Sequence, residues 1–258
     1  MATKNYKKKI AVVGYTGFIG SNLKRIYKSN FNFNSKKITK INKKLDLVLC
    51  AGTYSKRWIA NKYPKKDLYN ILKLTSFLKN IVTKRFVLIS TIEVYGLKNN
   101  KNELDKITTK KNSSYGINRL FLEKFVKKNF INYLIIRLPI VYGKNFVKNV
   151  IYDLLNDNKI NDLNANDKVQ IYNIKNLKKD IDFCFKNNIK EYNIACEPIS
   201  LDFIAKQIFK IKLLKRKNPR SMNMKSIYPK KKSRFYSYKK KFLIKELKKF
   251  VDEYQKWI

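Results

Sequence analysis

Three glycines near the start of the chain have a spacing that suits diphosphate binding. Gly14, Gly17 and Gly20 follow the apolar run 10–13 and lead into 21–28, where apolar residues recur at helical spacing. A glycine turn between a buried strand and a helix lets main-chain amides approach a pyrophosphate, whose charge then meets the N-terminus of the helix. Because the chain holds only 7 glycines, this spacing is rarely met by chance. The turn therefore predicts a dinucleotide-binding site.

Strands and helices are predicted to alternate along the rest of the chain. Apolar runs indicate buried strands at 10–13, 31–33, 45–50, 85–90 and 133–138. Helical periodicity indicates helices at 64–79, 114–128, 177–185, 201–209 and 239–256. This alternation favours an α/β fold with a Rossmann-type, doubly wound parallel sheet, whose ligands bind beyond the carboxyl ends of the strands. The residues at those ends are Gly14, Gly52, Ser90, Thr91 and Pro139.

The composition excludes several kinds of site. The chain has no histidine, which rules out Ser-His-Asp and Cys-His catalysis, and we expect no metal site. Cys50, Cys184 and Cys196 lie in apolar stretches and are expected to be buried free thiols, as in a reducing cytoplasm. No apolar run is long enough to cross a bilayer. A signal peptide after the basic residues 7–9 stays an alternative, although glycines interrupt its apolar part.

The formal net charge of +41 has two interpretations. One is binding to nucleic acid, which calls for basic residues gathered on one face or tail. The other is the amino-acid usage of an AT-rich genome, because Lys, Asn, Ile, Phe and Tyr are abundant while Gly and Pro are scarce. The lysines are spread along the whole chain. This distribution favours compositional bias over a specific nucleic-acid partner, and the basic surface should still attract anions.

Seven motifs are spread along most of the chain: VVGYTGFIGSNL at 12–23, DLVLCAG at 46–52, ISTIEVYG at 89–96, SYGINR at 114–119, RLPIVYG at 137–143, QIYNI at 170–174 and YNIACEPISLDFIA at 192–205. They resemble motifs of the extended short-chain dehydrogenase/reductases, also called NAD-dependent epimerase/dehydratases. Every glycine of the chain falls in one of them. The resemblance implies a Rossmann NAD(P)-binding domain over 1–144. It also implies a small C-terminal α/β substrate lobe with a last helix over 145–258, the boundaries being interleaved.

The resemblance also implies a mechanism. Tyr115 matches the family's general acid/base, and Thr91 matches the residue that hydrogen-bonds the same substrate oxygen. Four residues after the tyrosine, on the same helix face, the family has a lysine that binds the nicotinamide ribose and lowers the tyrosine pKa. Arg119 stands there instead. Arginine supplies a charge that lowers the pKa of Tyr115 but cannot relay a proton, so a working enzyme, a slow one and a non-catalytic binder remain open.

The residue at position 92 reduces the number of reactions that the chain could catalyse. The stretch STIEVYG resembles STDEVYG of nucleotide-sugar 4,6-dehydratases, but Ile92 replaces the aspartate. The general acid of the elimination is then missing, which disfavours dehydration. Glu93 is either a structural residue or one that faces the substrate. Epimerisation and ketone reduction remain, and both need hydride transfer to or from a nicotinamide.

The resemblance places the cofactor against these residues: Gly14, Gly17, Phe18, Ile19, Gly20, Ser35, Lys36, Ala51, Gly52, Ser90, Tyr115, Arg119 and Pro139. An acid about 20 residues after the first glycine would bind the ribose 2′-hydroxyl of NAD. Asn34, Ser35, Lys36 and Lys37 occupy that region. Serine and lysine accommodate a 2′-phosphate, so the sequence favours NADP over NAD. Asn149 lies near the position of a family asparagine that contacts the substrate diphosphate.

The leading hypothesis from the sequence is a cytoplasmic NAD(P)-dependent epimerase or ketoreductase acting on a sugar, in particular a nucleotide-linked one. The alternative, motivated by Arg119, is a non-catalytic dinucleotide-binding or redox-sensing module. A nucleic-acid-binding protein is the third hypothesis, motivated by the charge. We expect neither a membrane nor a specific nucleic acid as a partner. A homodimer is expected through the helices 64–79 and 114–128, since two-helix dimerisation is common in the family that the chain resembles.

Overall fold

The computed structural model describes residues 8–36, 44–96, 99–110, 112–229 and 234–255. Lys37, which belongs to the expected ribose-binding stretch, lies outside these ranges. The chain divides into two compact units made of interleaved segments. The first unit comprises Met1–Gly96, Thr108–Ile136 and Ile181–Glu191, and the second comprises Leu97–Ile107, Arg137–Asp180 and Tyr192–Ile258.

A six-stranded parallel sheet organises the fold. The strands of the described residues are β1 Ile10–Val13, β2 Phe31–Phe33, β3 Leu47–Cys50, β4 Phe86–Thr91, β5 Tyr133–Leu138, β6 Ile140–Tyr142, β7 Lys168–Val169, β8 Ile171–Asn173, β9 Glu191–Asn193 and β10 Ile199–Ser200. The sheet has the strand order β2-β1-β3-β4-β5-β9. β1 pairs in parallel with β2 on one side and with β3 on the other. The strand order therefore reverses at β1, which is where open α/β sheets bind their ligands.

The helices that the periodicity predicts are present, with shifts at their ends, and the two short helices at 57–62 and 150–155 were not predicted. Those of the described residues are α1 Phe18–Tyr27, α2 Arg57–Lys62, α3 Pro64–Leu78, α4 Ser114–Asn129, α5 Val150–Leu155, α6 Leu177–Lys186, α7 Leu201–Ile204 and α8 Lys240–Gln255. The helix expected over 201–209 keeps α geometry only to Ile204 and continues as a π-helix over Ala205–Phe209. None of the helices described here is long and apolar enough to cross a membrane.

The core of the first unit lies between the sheet and α3 and α4. Buried strand residues in this cluster include Ala11, Val13, Val48 and Leu88, and the helices contribute Ile71, Leu74, Leu78, Leu122 and Val126. Because both faces of a parallel sheet are covered, its strands appear in the sequence as continuous apolar runs. The expected Rossmann-type parallel sheet is confirmed.

The second unit contains two short strand pairs and the last helix. β6 pairs in parallel with β8, and β7 pairs antiparallel with β10. α8 buries a stripe made of Leu243, Leu247, Phe250 and Val251. The ring of Phe250 lies 5.2 Å from that of Tyr142, so the stripe is a packing face within its own unit.

Candidate active site

The turn between β1 and α1 is shaped by close backbone contacts. Gly14 has φ +83°, and a Cβ added there would lie 2.4 Å from the carbonyl oxygen of Ala51. A Cβ on Gly20 would lie 2.0 Å from the carbonyl oxygen of Gly14. The amide of Gly14 donates to the carbonyl of Phe33 at 2.7 Å. Two of the three glycines are therefore required by the packing of β1, β3 and the first turn of α1.

Gly17 is a glycine for a different reason. Its φ of −79° is available to any residue, and a Cβ there would meet only the Gly14 carbonyl oxygen, at an ordinary 3.5 Å. Gly17 is the N-cap of α1, without a side-chain hydrogen bond, and the first turn of the helix carries no acidic residue. The open side of Gly17 and the uncapped positive end of the helix fit an anionic group that approaches the main chain.

Phe18, Ile19 and Gly20 form the first turn of α1, which begins three residues before the expected Ser21. The helix begins early because Gly17 acts as its N-cap in extended conformation. The glycine turn and the N-terminus of α1 are therefore continuous. The residues present fit a dinucleotide diphosphate.

The ends of β2 and β3 flank this turn. The Ala51 amide donates to the carbonyl of Val13 at 2.9 Å, and a Cβ on Gly52 would lie 3.1 Å from a side-chain carbon of Val13. Ser35 and Lys36 follow β2 and are exposed. The pairing of Phe33 with Val13 puts the chain that leaves β2 next to the glycine turn. The predicted cofactor residues of these strand ends thus gather at one edge of the sheet.

Thr91 ends β4, and Glu93 lies in the short 3₁₀ turn Ile92–Tyr95 that follows. The Glu93 amide donates to Thr91 Oγ1 at 3.2 Å, which leaves the hydroxyl hydrogen of Thr91 available to another acceptor. The Glu93 carboxylate lies 2.7 Å from Arg57 Nε of α2. Burial raises the pKa of Glu93, and the charges of Arg57 and Arg119 oppose that rise.

Tyr115 lies in the first turn of α4, directly against this 3₁₀ turn. A Cβ on the following Gly116 would lie 2.5 Å from the carbonyl oxygen of Glu93, so only glycine permits this approach. The Ser113 hydroxyl caps the helix by accepting from the Gly116 amide at 3.1 Å, and the Tyr115 amide donates to Asn61 Oδ1 at 3.0 Å. Tyr115 is thereby placed beside the end of β4.

The pKa of Tyr115 lies above its ordinary value of 10.0. Burial is the largest cause, the charge of Arg119 lowers the pKa, and the charges of Glu93 and Asp67 raise it again. Arg119 thus acts in the expected direction. The expectation that Arg119 would depress this pKa is wrong for the net shift, because desolvation outweighs the attraction of the cation.

Arg119 forms a buried, bidentate salt bridge with Asp67 of α3. Its Nη1 lies 2.9 Å from Asp67 Oδ2, and its Nη2 donates to Asp67 Oδ1 at 3.1 Å and to the Tyr54 carbonyl at 2.6 Å. The guanidinium carbon lies 4.3 Å from the centre of the Tyr115 ring. Among the described residues, Arg119 Nε is buried without a hydrogen-bond partner. We call Thr91, Glu93, Tyr115 and Arg119 the acid–base corner.

Three other predicted residues have contacts within the fold. The Ser90 hydroxyl donates to Glu123 of α4 at 2.5 Å, in a buried setting. Asn149 Oδ1 accepts from the amides of Ile151 and Tyr152 at the start of α5. Pro139 lies half-buried between β5 and β6. These contacts give Ser90 and Asn149 structural tasks, and their contact with cofactor or substrate stays a prediction.

No motif in the sequence indicates Asp67, Arg57 or Asn61 as site residues. Asp67 could have been noticed from its position. It precedes Ile71, Leu74 and Leu78 at helical spacing and is itself buried. An acid on the apolar stripe of a helix needs a buried cation, and Asp67 therefore implied a basic partner elsewhere in the chain.

Comparisons with known proteins agree with this geometry. The model of the family described as "NAD dependent epimerase/dehydratase family" matches residues 32–191, more than half of the chain. The glycine turn lies before the matched region. No curated protein sequence matches the chain.

Solved structures share the fold. UDP-glucose 4-epimerase from Thermotoga maritima superposes with a TM-score of 0.69 and 16% identity over 96% of this chain and 99% of that one. A dTDP-4-dehydrorhamnose reductase from Yersinia enterocolitica gives 0.71 and 19% over 95% and 99%. UDP-glucuronic acid 4-epimerase from Bacillus cereus gives 0.69 and 19% over 97% and 100%.

Identities this low establish the fold alone. The family follows from the match over 32–191, with which the glycine turn, the parallel sheet and the tyrosine helix agree. The chain belongs to the NAD-dependent epimerase/dehydratase family of extended short-chain dehydrogenase/reductases and is an NAD(P)-dependent enzyme of that kind.

Proposed function

We propose that this enzyme is an epimerase or ketoreductase that acts on a nucleotide-linked sugar. The observation that carries the proposal is the glycine turn. The space beside the Cα atom of Gly17 is free for a ligand, whereas packed main-chain atoms fill the corresponding space at Gly14 and Gly20. The acid–base corner lies in the same unit, at the carboxyl end of β4, which β3 separates from β1 in the sheet. Among proteins of similar fold, one was solved with UDP-glucose and NAD, which supports a nucleotide sugar as substrate.

The roles follow from the chemistry of the corner. Tyr115 exchanges a proton with the oxygen on the reacting sugar carbon, and Thr91 donates its hydroxyl hydrogen to that oxygen. The bound nicotinamide supplies the hydride acceptor or donor. Arg119 takes the place of the family lysine beside the ribose. Glu93 faces the substrate from the start of the 3₁₀ turn, where Arg57 balances its charge.

We further propose NADP as the preferred cofactor, since Ser35 and Lys36 are exposed where the adenosine ribose of a bound dinucleotide would lie. Phe18 and Ile19 present main-chain amides to the diphosphate, and Ser90 lines the nicotinamide end. Asn149 contacts the diphosphate of the sugar nucleotide. Calorimetry with NADP and NAD tests the preference, and tighter binding of NAD would contradict it.

We assign the enzyme to a reducing compartment, the cytoplasm, because Cys50, Cys184 and Cys196 are buried free thiols. We also propose a homodimer through α3 and α4. Tyr69, Leu72 and Phe121 of these helices are between 40% and 56% exposed, which suits an apolar interface. Light scattering of Leu72→Lys tests it, and a wild-type monomer would contradict it.

The test of function is a screen of UDP- and dTDP-sugars with NAD and NADP. A reductase consumes reduced nicotinamide and changes its absorbance, whereas an epimerase returns the hydride and changes only the sugar, which NMR of the products detects. Tyr115→Phe should lower turnover by at least about a hundredfold while leaving dinucleotide affinity nearly unchanged. Tyr63→Phe, at an exposed tyrosine of the same unit, is the matched control. Unchanged turnover in Tyr115→Phe would remove Tyr115 from the mechanism.

The second candidate is a dinucleotide-binding module without catalysis. The salt bridge of Arg119 with Asp67 favours it, because an arginine committed to a carboxylate differs from the lysine of the family. Tight NAD(P) binding without turnover of any sugar would support this candidate over the enzyme. A specific nucleic-acid complex is the third. It would have to survive physiological salt, since non-specific binding weakens steeply there.

A further inference from the structure

Arg119 and Asp67 form an enclosed ion pair in the first unit. Their side chains are 3% and 4% exposed. Asp67 Oδ2 also accepts from Asn118 Nδ2 at 2.9 Å, so the carboxylate binds two successive residues of α4. A buried carboxylate is costly unless its oxygens are hydrogen-bonded, and here the bidentate contact with Arg119 and the bond from Asn118 satisfy Asp67.

We infer that Asp67 is a positioning residue of the acid–base corner, which acts through Arg119 by fixing its guanidinium against the ring of Tyr115. The inference rests on the function proposed above. It assigns to an acid of α3 a task that neither the family resemblance nor the sequence motifs indicated. It also implies that arginine at 119 is adapted to this chain.

The geometry explains why lysine would not serve. Arg119 reaches two oxygens of Asp67 and the carbonyl of Tyr54 in one plane, while its carbon lies over the Tyr115 ring. A lysine ammonium is a single point donor without a planar face. It would leave part of the buried carboxylate or the Tyr54 carbonyl without its donor. The side chain would then be held less firmly beside Tyr115.

The charges near Tyr115 come from four elements. Arg119 lies on α4 itself, Asp67 on α3, and Glu93 on the 3₁₀ turn after β4; Arg57 of α2 balances Glu93. Farther along α4, Glu123 accepts from the Ser90 hydroxyl. Asp67 is the acid of this group that binds Arg119 directly. Its removal takes away a negative charge that raises the pKa of Tyr115 and leaves the positive charge of Arg119 unbalanced, and both changes favour tyrosinate.

The test is a pH titration of Tyr115 in the full chain labelled with [13Cζ]tyrosine, whose Tyr115 signal is identified by its loss in Tyr115→Phe. We expect Asp67→Asn to move the titration to lower pH and to reduce kcat by about tenfold to a hundredfold through misplacement. Asp67→Glu, which keeps the charge, should leave the titration near that of the wild type. If packing alone mattered, the larger glutamate would disturb Tyr115 at least as much as asparagine, and that result would overturn the inference.

Arg119→Lys is the second variant. The inference requires a loss of about tenfold or more in kcat, and a smaller effect of Asp67→Asn in the Arg119→Lys background than in the wild type. A gain in kcat, or additive effects of the two changes, would overturn it. Should Asp67→Asn fail to fold, the direction of the Arg119→Lys effect still decides. Asp46→Asn is the control, because Asp46 pairs with Lys84 just before β3, away from the corner, and should change neither readout.

The titration does not depend on turnover. If the wild type converts no sugar, the proposed function fails while the titrations of Asp67→Asn and Asp67→Glu still test the pair. If the wild type is active and Asp67→Asn leaves both the titration and kcat unchanged, the inference fails and the proposed function stands.

Discussion

The glycine turn and the acid–base corner are specified in different ways. In the turn, the determinants are main-chain contacts among Gly14, Gly20 and Ala51, all within the close approach of β1, β3 and α1. In the corner, the determinants are side chains from distant segments, since Arg119 and Asp67 are 52 residues apart. A backbone requirement for glycine leaves a local pattern in the sequence. A pair of charges has no local pattern, because either partner can come from any helix that packs nearby.

The largest expected effect lies in the turn. In Gly20→Ala the new methyl group would lie 2.0 Å from the Gly14 carbonyl oxygen, a backbone atom that cannot move aside cheaply. We expect a loss of more than about 4 kcal/mol in the free energy of unfolding, or failure to fold. Denaturant unfolding with circular dichroism measures it. A variant of near wild-type stability would mean that the turn does not pack as described.

The next effect lies in the corner. Arg119→Met leaves the Asp67 carboxylate buried without its cation and should cost about 3–5 kcal/mol. Arg57→Met breaks an ion pair whose arginine is 45% exposed and should cost less than about 1 kcal/mol. Urea unfolding of both variants compares them. Equal losses would contradict the view that the buried ion pair contributes more to stability than the exposed one.

Gly17→Ala separates folding from binding within the turn. The added methyl group makes only an ordinary contact, so stability should fall by no more than about 1 kcal/mol. It would occupy the space that a diphosphate needs, and NAD(P) affinity should fall by about tenfold or more. Thermal unfolding and calorimetry give the two quantities. Unchanged affinity would show that the dinucleotide does not approach Gly17.

The smallest effect concerns Glu93. Burial raises the pKa of this carboxyl above 4.5, so the folded chain holds the proton more tightly than the unfolded chain does. Glu93 therefore makes the protein less stable as pH rises from about 4.5 towards the folded pKa. Glu93→Gln removes this dependence, and its stability relative to the wild type should increase across that window and then level off. Urea unfolding between about pH 4 and 7 tests the sign, and a constant difference would contradict it.

Part of the candidate site could be predicted because its signals are local. The strands 10–13 and 133–138 were predicted at their observed bounds, since strands covered on both faces form short apolar runs. The helix containing Tyr115 and Arg119 was predicted to within one residue, and the i, i+4 spacing correctly put both side chains together. The start of α1 was missed by three residues, because Gly17 as an N-cap carries no side-chain signal.

The electrostatics of the corner could not be predicted in the same way. The sign of the influence of Arg119 on Tyr115 follows from charge alone, but the net pKa depends on how far Tyr115 is buried and on Glu93 and Asp67. Desolvation is a property of the packed structure, and no spacing in the sequence measures it. The sequence places Asp67 on an apolar helix face. It does not identify Arg119 as the partner, because that contact depends on the packing of α3 against α4.

The amino-acid sequence by itself indicated the strands of the parallel sheet, the glycine turn and the helix that presents Tyr115, because the signal for each lies in residues that are neighbours along the chain. The tertiary structure alone decided that there is free space beside the Cα atom of Gly17 and none beside those of Gly14 and Gly20. It also decided that Arg119 pairs with Asp67. The physical reason is distance: steric room and Coulomb energy depend on separation in space, which folding sets between residues far apart in the chain.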